Sequence, residues 1–182
     1  PKGFDTLDIK ISILKNDIVI RKFENKKDTI KFKTWQGGPT EKKYLKPKYG
    51  FNRFNWDLRR EPFKGVNKVF VYGSYNAGIV PPGNYKIKMN IGNKVYQDSF
   101  LLEPDPNFKF KPSEYLEQEE LLLSIEKNIR NLNMTVTKAR KIKMQLENDI
   151  KKMDNKKELY DLIEMAKKIT FKIEEWEKKL IQ

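Results

Sequence analysis

The stretch Glu103 to Ile125, EPDPNFKFKPSEYLEQEELLLSI, is where the chain changes period. Upstream of it apolar residues alternate with polar ones, as in a half-buried strand; downstream they recur at spacings of three and four, as in a helix. Pro104-Asp105-Pro106 is a stiff connector between the two, because a residue that precedes proline is pushed out of the helical region. Ser113 is the expected N-cap, with Glu114 and Glu117 in the first turn, where the positive end of the helix dipole favours anions.

From there Leu122, Ile125, Ile129, Leu132, Val136, Ala139, Ile142, Leu146, Ile150 and Met153 fall on one helical face. Such a stripe predicts a helix of about 40 residues, about 60 Å long. Asp154-Asn155 interrupts it, and Asn155 with Glu158 has the form of a capping box for a second helix. Leu159, Leu162, Ala166, Ile169, Ile173, Trp176 and Leu180 then carry the same spacing. Neither Pro nor Gly follows Ser113, so both helices run unkinked. Two stripes joined by a short turn predict an antiparallel α-helical hairpin. Leu116, Leu121, Leu123, Ile163 and Phe171 lie off the stripe and widen the apolar face, which implies a further contacting surface.

Working back from Pro104, the strand signals are short and punctuated. Leu7, Ile9, Ile11 and Ile13 alternate in TLDIKISIL, Ile18 and Ile20 in DIVIRKF, and a Lys15-Asn16-Asp17 turn makes the two a hairpin. Val69 and Val71 bracket Phe70 in KVFVYG. Pro81-Pro82-Gly83 opens YKIKMNI, where Tyr85, Ile87, Met89 and Ile91 alternate, and Gly92-Asn93 turns the chain into KVYQDSFLLE. About six short strands of this kind predict an antiparallel sandwich.

GFNRFNWDLRR, Gly50–Arg60, is the ambiguous piece. Arginines interleaved with rings suit a sugar or nucleic-acid surface. Parity favours a core strand: Phe54, Trp56 and Leu58 share one side, Arg53, Asn55, Asp57 and Arg59 the other. Arg53 and Arg59 are then candidate outward contacts, and Asp57 is expected to satisfy backbone donors rather than act as an acid. Thr34–Tyr49, TWQGGPTEKKYLKPKY, is a loop by its Gly, Pro and Lys content. Among loop aromatics, Trp35, Tyr44, Tyr49 and Tyr75 are the candidate ligand contacts, Trp35 first because glycines flank it.

Composition narrows the chemistry. The 182 residues contain no His and no Cys, which excludes thiol nucleophiles, Ser-His-Asp triads and His/Cys zinc sites within this chain. No cofactor is called for. At 38% apolar and 12% aromatic residues, a core can close. Of 38 Lys and Arg and 25 Asp and Glu, 23 and 11 precede Pro112, so nearly all of the +13 net charge sits in the strand region. Such a balance attracts anionic polymers or lipid. A nucleic-acid partner is not the expected reading, since Lys outnumbers Arg and no arginine-rich signature occurs. No run reaches the roughly 20 apolar residues that span a bilayer, so a transmembrane chain is not expected. Beginning at PKGFDT, the sequence is expected to be a piece of something longer or a processed form.

These residues carry a resemblance. Gly50, Asn52, Phe54, Trp56, Asp57 and Arg59, then Pro81, Pro82, Gly83 and Tyr85, then the Asp105-Pro106 exit into paired helices, resemble the C-terminal region of secreted sortilin-like, BNR-repeat proteins of Bacteroidota labelled glycosyl hydrolases. The W-D and P-G-x-Y elements are also similar to the Ig-like domain of flagellar hook-capping proteins. The resemblance implies an α+β chain: an antiparallel Ig-like or fibronectin-like β-sandwich at 1–107, then a two-helix antiparallel hairpin at 108–182. It implies an extracytoplasmic location (periplasm, cell surface or secreted) and a preceding β-propeller in the same chain as partner. Any hydrolase chemistry would belong to that propeller, and no catalytic residue carries over.

Three functions follow for testing. The first is a non-catalytic accessory and interaction module, meeting the propeller and, through the hairpin, another protein. The second is a carbohydrate-binding module that uses the loop aromatics on a glycan. The third is a glycosidase in its own right, which needs a carboxylate pair facing a cleft.

Overall fold

The computed structural model describes residues 7–26, 35–40, 43–153 and 157–180. Four strands, β1 Ile9–Lys15, β2 Ile18–Glu24, β3 Gly83–Ile91 and β4 Lys94–Leu102, form one antiparallel sheet in the order β2-β1-β3-β4. The helices α1, Pro112–Met153, and α2, Tyr160–Leu180, follow, with a 3-10 turn at Lys157–Leu159 before α2. The class is therefore α+β, a sheet and then a helical pair.

Both expected hairpins are present. Asn16 and Asp17 each take a positive φ, 49° and 61°, the twist-matched geometry for a two-residue connection. In the second hairpin Gly92 alone of the Gly92-Asn93 pair does so, at 54°. Between β1 and β2 the register shifts: Ile13 pairs with Arg21 and Leu14 with Val19, leaving Ile20 as an extra residue. A bulged residue is released from the ladder. The Ile20 carbonyl accepts a hydrogen bond from the Glu61 N–H instead, at 2.8 Å.

One face of the sheet holds the core. Ile9, Ile13, Phe23 and Tyr85 are buried there with Leu45 and Val80 from the connecting segments, and Trp56, Leu58 and Phe100 pack against them. Loops also line the outer edge of β2. The Leu45 N–H donates to the Glu24 carbonyl at 2.9 Å, and the Lys22 N–H donates to the Glu61 carboxylate at 3.1 Å.

Two expected strands are not strands. In KVFVYG, Lys68 has φ 59°, and the backbone that follows bonds elsewhere, Val71 N–H to the Gly37 carbonyl. GFNRFNWDLRR is irregular apart from a single bridge, Arg59 to Ile79. Its extended run ends because Leu58 takes φ 56° and the Asp57 carboxylate caps the Arg59 N–H at 3.3 Å. Trp56 and Leu58 do reach the core, whereas Phe54 meets Phe23 edge-on and remains 39% exposed.

The chain gathers into two compact units. The first contains the sheet, the segments 39–63 and 73–111, and α1 through Lys127; the second contains 35–38, 64–72, the rest of α1, and α2. α1 starts one residue before the expected cap. Pro112 occupies the first helical position, where its missing N–H is harmless, and the Glu114 carboxylate reaches back to the Lys111 N–H at 2.6 Å. The Asp154-Asn155 boundary and the Asn155 cap lie outside the described residues.

Within the second unit the helices run antiparallel, because their cross-links climb one helix as they descend the other: Arg140 with Glu177, and Lys143 with Glu174 at 2.6 Å. The Lys143 ammonium holds the Glu174 carboxyl below its ordinary range, and the same hydrogen bond raises Lys143. Burial is shifted from the expected stripe. Of these helical residues Val136, on the stripe, and Ile163, placed off it by its spacing, are buried, Ile129, Leu146, Ile150 and Ile173 are half-buried, and Leu132, Ile142, Leu162, Ile169, Trp176 and Leu180 stay exposed. Charged pairs sit on the facing sides, so the apolar stripe is turned partly away from the partner helix.

Candidate functional site

The most buried charges of the described residues lie in the first unit, where α1 meets the sheet's connecting segments. The turn from Trp56 to Arg60 is fixed by Trp56 Nε1 donating to the Arg59 carbonyl at 2.9 Å. Backbone bonds on both sides hold it: Arg60 N–H to the Gly78 carbonyl at 3.2 Å, and Val80 N–H to the Leu58 carbonyl at 2.8 Å. Arg21 adds a bond from Nη1 to the Arg60 carbonyl at 2.9 Å, its guanidinium 5.0 Å from the Phe23 ring centre. Arg60 is thereby aimed inward, and is 5% exposed.

Two glutamates of α1, seven residues and so about two turns apart, meet it. Glu126, 6% exposed, accepts from Arg60 Nε at 3.1 Å and from the Gly78 N–H at 2.8 Å through the same oxygen. Glu119 accepts from Arg60 Nη1 at 3.4 Å and from Lys15 Nζ at 2.5 Å. The approach is close enough that a Cβ on Gly78 would stand 3.1 Å from Arg60 Nη2, from Glu126 Oε1 and from a Leu122 methyl. A side chain at position 78 would have to push these groups back by a few tenths of an ångström. Two cations and two anions balance, which is how charges survive burial. Arg60 Nη2 has no hydrogen-bond partner.

Tyr85 borders the cluster. Its hydroxyl donates to the Pro81 carbonyl at 2.6 Å, and Lys15 Nζ lies 6.0 Å from its ring centre. Burial, then the Glu119 charge, pushes the phenol up from 10.0 to about 12, against the opposing pull of Arg60. The unfolded chain releases this proton near pH 10 while the folded one keeps it to about 12. The contribution is therefore complete below pH 10 and fades between 10 and 12. Thermal melts of wild type and Tyr85→Phe across that window should converge as pH rises; a constant gap would contradict the assignment.

Chemically, this constellation is a clasp. Glu119 is bonded by two cations and Glu126 by one cation and an amide, and Glu126 is buried while Glu119 is half-buried. Among the described residues no three His, Cys, Asp or Glu side chains gather in a metal-binding group.

The residues expected from sequence to touch a ligand are not brought together as one site. Trp35, in the second unit, is half-buried and tied through Nε1 to the Val69 carbonyl at 2.6 Å. Tyr44 is half-buried; so is Tyr75, whose hydroxyl has no partner and whose pKa burial raises. Arg59 is committed to the Ala77 carbonyl at 3.0 Å. Tyr49 and Arg53 are exposed and share one loop. The sequence reading passed over Arg60, Glu119, Glu126 and Gly78. A signal was available, since both glutamates sit on the helical face of Leu122 and Ile129, where an acid needs a buried partner.

Comparison of the chain with protein-family models, curated proteins and solved structures finds no match.

Proposed function

We propose that this chain is a non-catalytic accessory and interaction module, the trailing part of a larger extracytoplasmic protein of the sortilin-like, BNR-repeat type. In this reading the strand region 1–107 is an Ig-like sandwich that packs on a preceding β-propeller, and the helical region 108–182 recruits or braces a partner. One observation carries it: Ile142, Leu162, Ile169, Trp176 and Leu180 are large apolar residues left exposed along the helical pair. The engagement of Glu119 and Glu126 by Arg60, Lys15 and Gly78 supports a structural role for the best-placed acids.

Two measurements test the proposal. Ile142→Lys and Ile169→Lys should each change stability by about 1 kcal/mol or less, because a lysine stem can lie along the surface with its charge in water. A loss of several kcal/mol would mean that the face is part of the chain's own core. Assays against neutral and acidic glycans should show no turnover; hydrolysis abolished by one carboxylate substitution would overturn the reading. The carbohydrate-binding alternative draws its support from Tyr49 alone of the four candidate rings, since Trp35 is tied inward and Tyr44 and Tyr75 are half-buried.

A further inference from the structure

A different surface in the first unit has a more specific chemistry. The loop Leu45–Phe54, LKPKYGFNRF, is anchored at both ends. Leu45 is buried and bonded to the Glu24 carbonyl, and the Phe54 ring packs on Phe23 with centres 4.5 Å apart. Between the anchors a single side chain closes the turn. Asn52 Oδ1 accepts from the Lys48 N–H at 2.7 Å, and its Nδ2 donates to the Lys48 and Gly50 carbonyls, both at 2.9 Å. Gly50 takes φ 86°, which a side chain there would resist. The result is a pinned turn rather than a slack one.

What this turn displays is costly to leave in water. Tyr49 is 86% and Phe51 90% exposed, with no ring partner among the described residues. Lys46, Lys48 and Arg53 are exposed around them without an ion pair to any described residue. No Asp or Glu occurs between Lys43 and Trp56. A sugar would require groups to bond its hydroxyls beside the stacking ring. The loop's one side-chain amide, on Asn52, is consumed by the turn, and the loop itself carries no carboxylate. Phe51 has no polar atom to offer any ligand; its gain comes only from leaving water. A phenylalanine at the tip, a tyrosine beside it and a collar of cations match the layers of an anionic bilayer surface: acyl boundary, interface and phosphate.

We infer that the Leu45–Phe54 loop is a membrane-surface anchor. Phe51 and Tyr49 enter the interfacial layer of an anionic bilayer, while Lys46, Lys48 and Arg53 meet lipid phosphates. Because Asn52 holds the turn before contact, little ordering is required on binding. This is contact with a surface and not passage through one; no described helix is long and apolar enough to cross.

The test is co-sedimentation of the whole chain with vesicles of phosphatidylcholine alone and of phosphatidylcholine mixed with phosphatidylglycerol. Binding is expected only to the anionic vesicles. Phe51→Ala should weaken it by about tenfold or more, and neutralising Lys46, Lys48 and Arg53 to Gln should weaken it further at low salt than at high. Phe51→Trp should retain binding and shift its emission to the blue on vesicles. All these positions are exposed, so unchanged melting temperatures are expected and checked. If Phe51→Ala binds as well as wild type, attraction is charge alone and the anchor is wrong. An unshifted Phe51→Trp spectrum overturns it too, as does a Phe51-dependent binding of single-stranded DNA or acidic polysaccharide with vesicles left untouched.

Discussion

Glu126→Ala lowers the stability of the first unit by about 3–5 kcal/mol, and Arg60→Ala does nearly as much. Removing the carboxylate takes the nearer of two carboxylate partners from a guanidinium that is 5% exposed and leaves the Gly78 N–H, now 2.8 Å from its acceptor, without one. Water cannot restore either bond without parting α1 from the segments that carry Arg60 and Gly78. The loss thus measures an abandoned charge, not the strength of the pair. Joint replacement separates these: Arg60→Met with Glu126→Leu should be much less destabilised than the two single losses added together, since no charge is left alone. Urea titrations of the four proteins decide it. Additive losses in the double variant would mean that the two side chains are not energetically coupled.

Tyr85→Ala should fall in the same range, about 3–5 kcal/mol, for an apolar reason. Tyr85 is 1% exposed on the central strand β3, stacked on Phe100 with centres 5.8 Å apart and edge-on to Trp56 at 6.0 Å. The sheet fixes Phe100 directly opposite, so the cavity cannot collapse. Tyr85→Phe keeps the ring and forfeits only the hydroxyl's bond to Pro81, a loss of about 1 kcal/mol. A comparable loss in both variants would assign the stability to the hydroxyl and not to packing.

Local chemistry was legible in the sequence. Asn16-Asp17 and Gly92 announce their hairpins because few residues accept a positive φ, and the 3,4 repeat past Pro112 yields both helices. What stayed hidden depends on distant parts of the chain. KVFVYG has a strand's composition, yet the bonds of Val69 and Val71 go to Trp35 and Gly37, more than thirty positions back. GFNRFNWDLRR reads by parity as a core strand, yet the stretch does both: Phe51 and Arg53 stand outside, Trp56 and Arg60 inside. The clasp escaped because arginine and glutamate are placed outside by default, and only their meeting across sixty-six positions makes burial tolerable.

The segments along the outer side of β2 have a consequence for solubility. An edge strand with free amides and carbonyls invites a strand from another molecule to join it. Here the Glu24 and Ile20 carbonyls already hold Leu45 and Glu61, and the Glu61 carboxylate occupies the Lys22 amide. These contacts close this border of the sheet to templated growth, and a variant that frees Glu61 would be expected to aggregate before it unfolds.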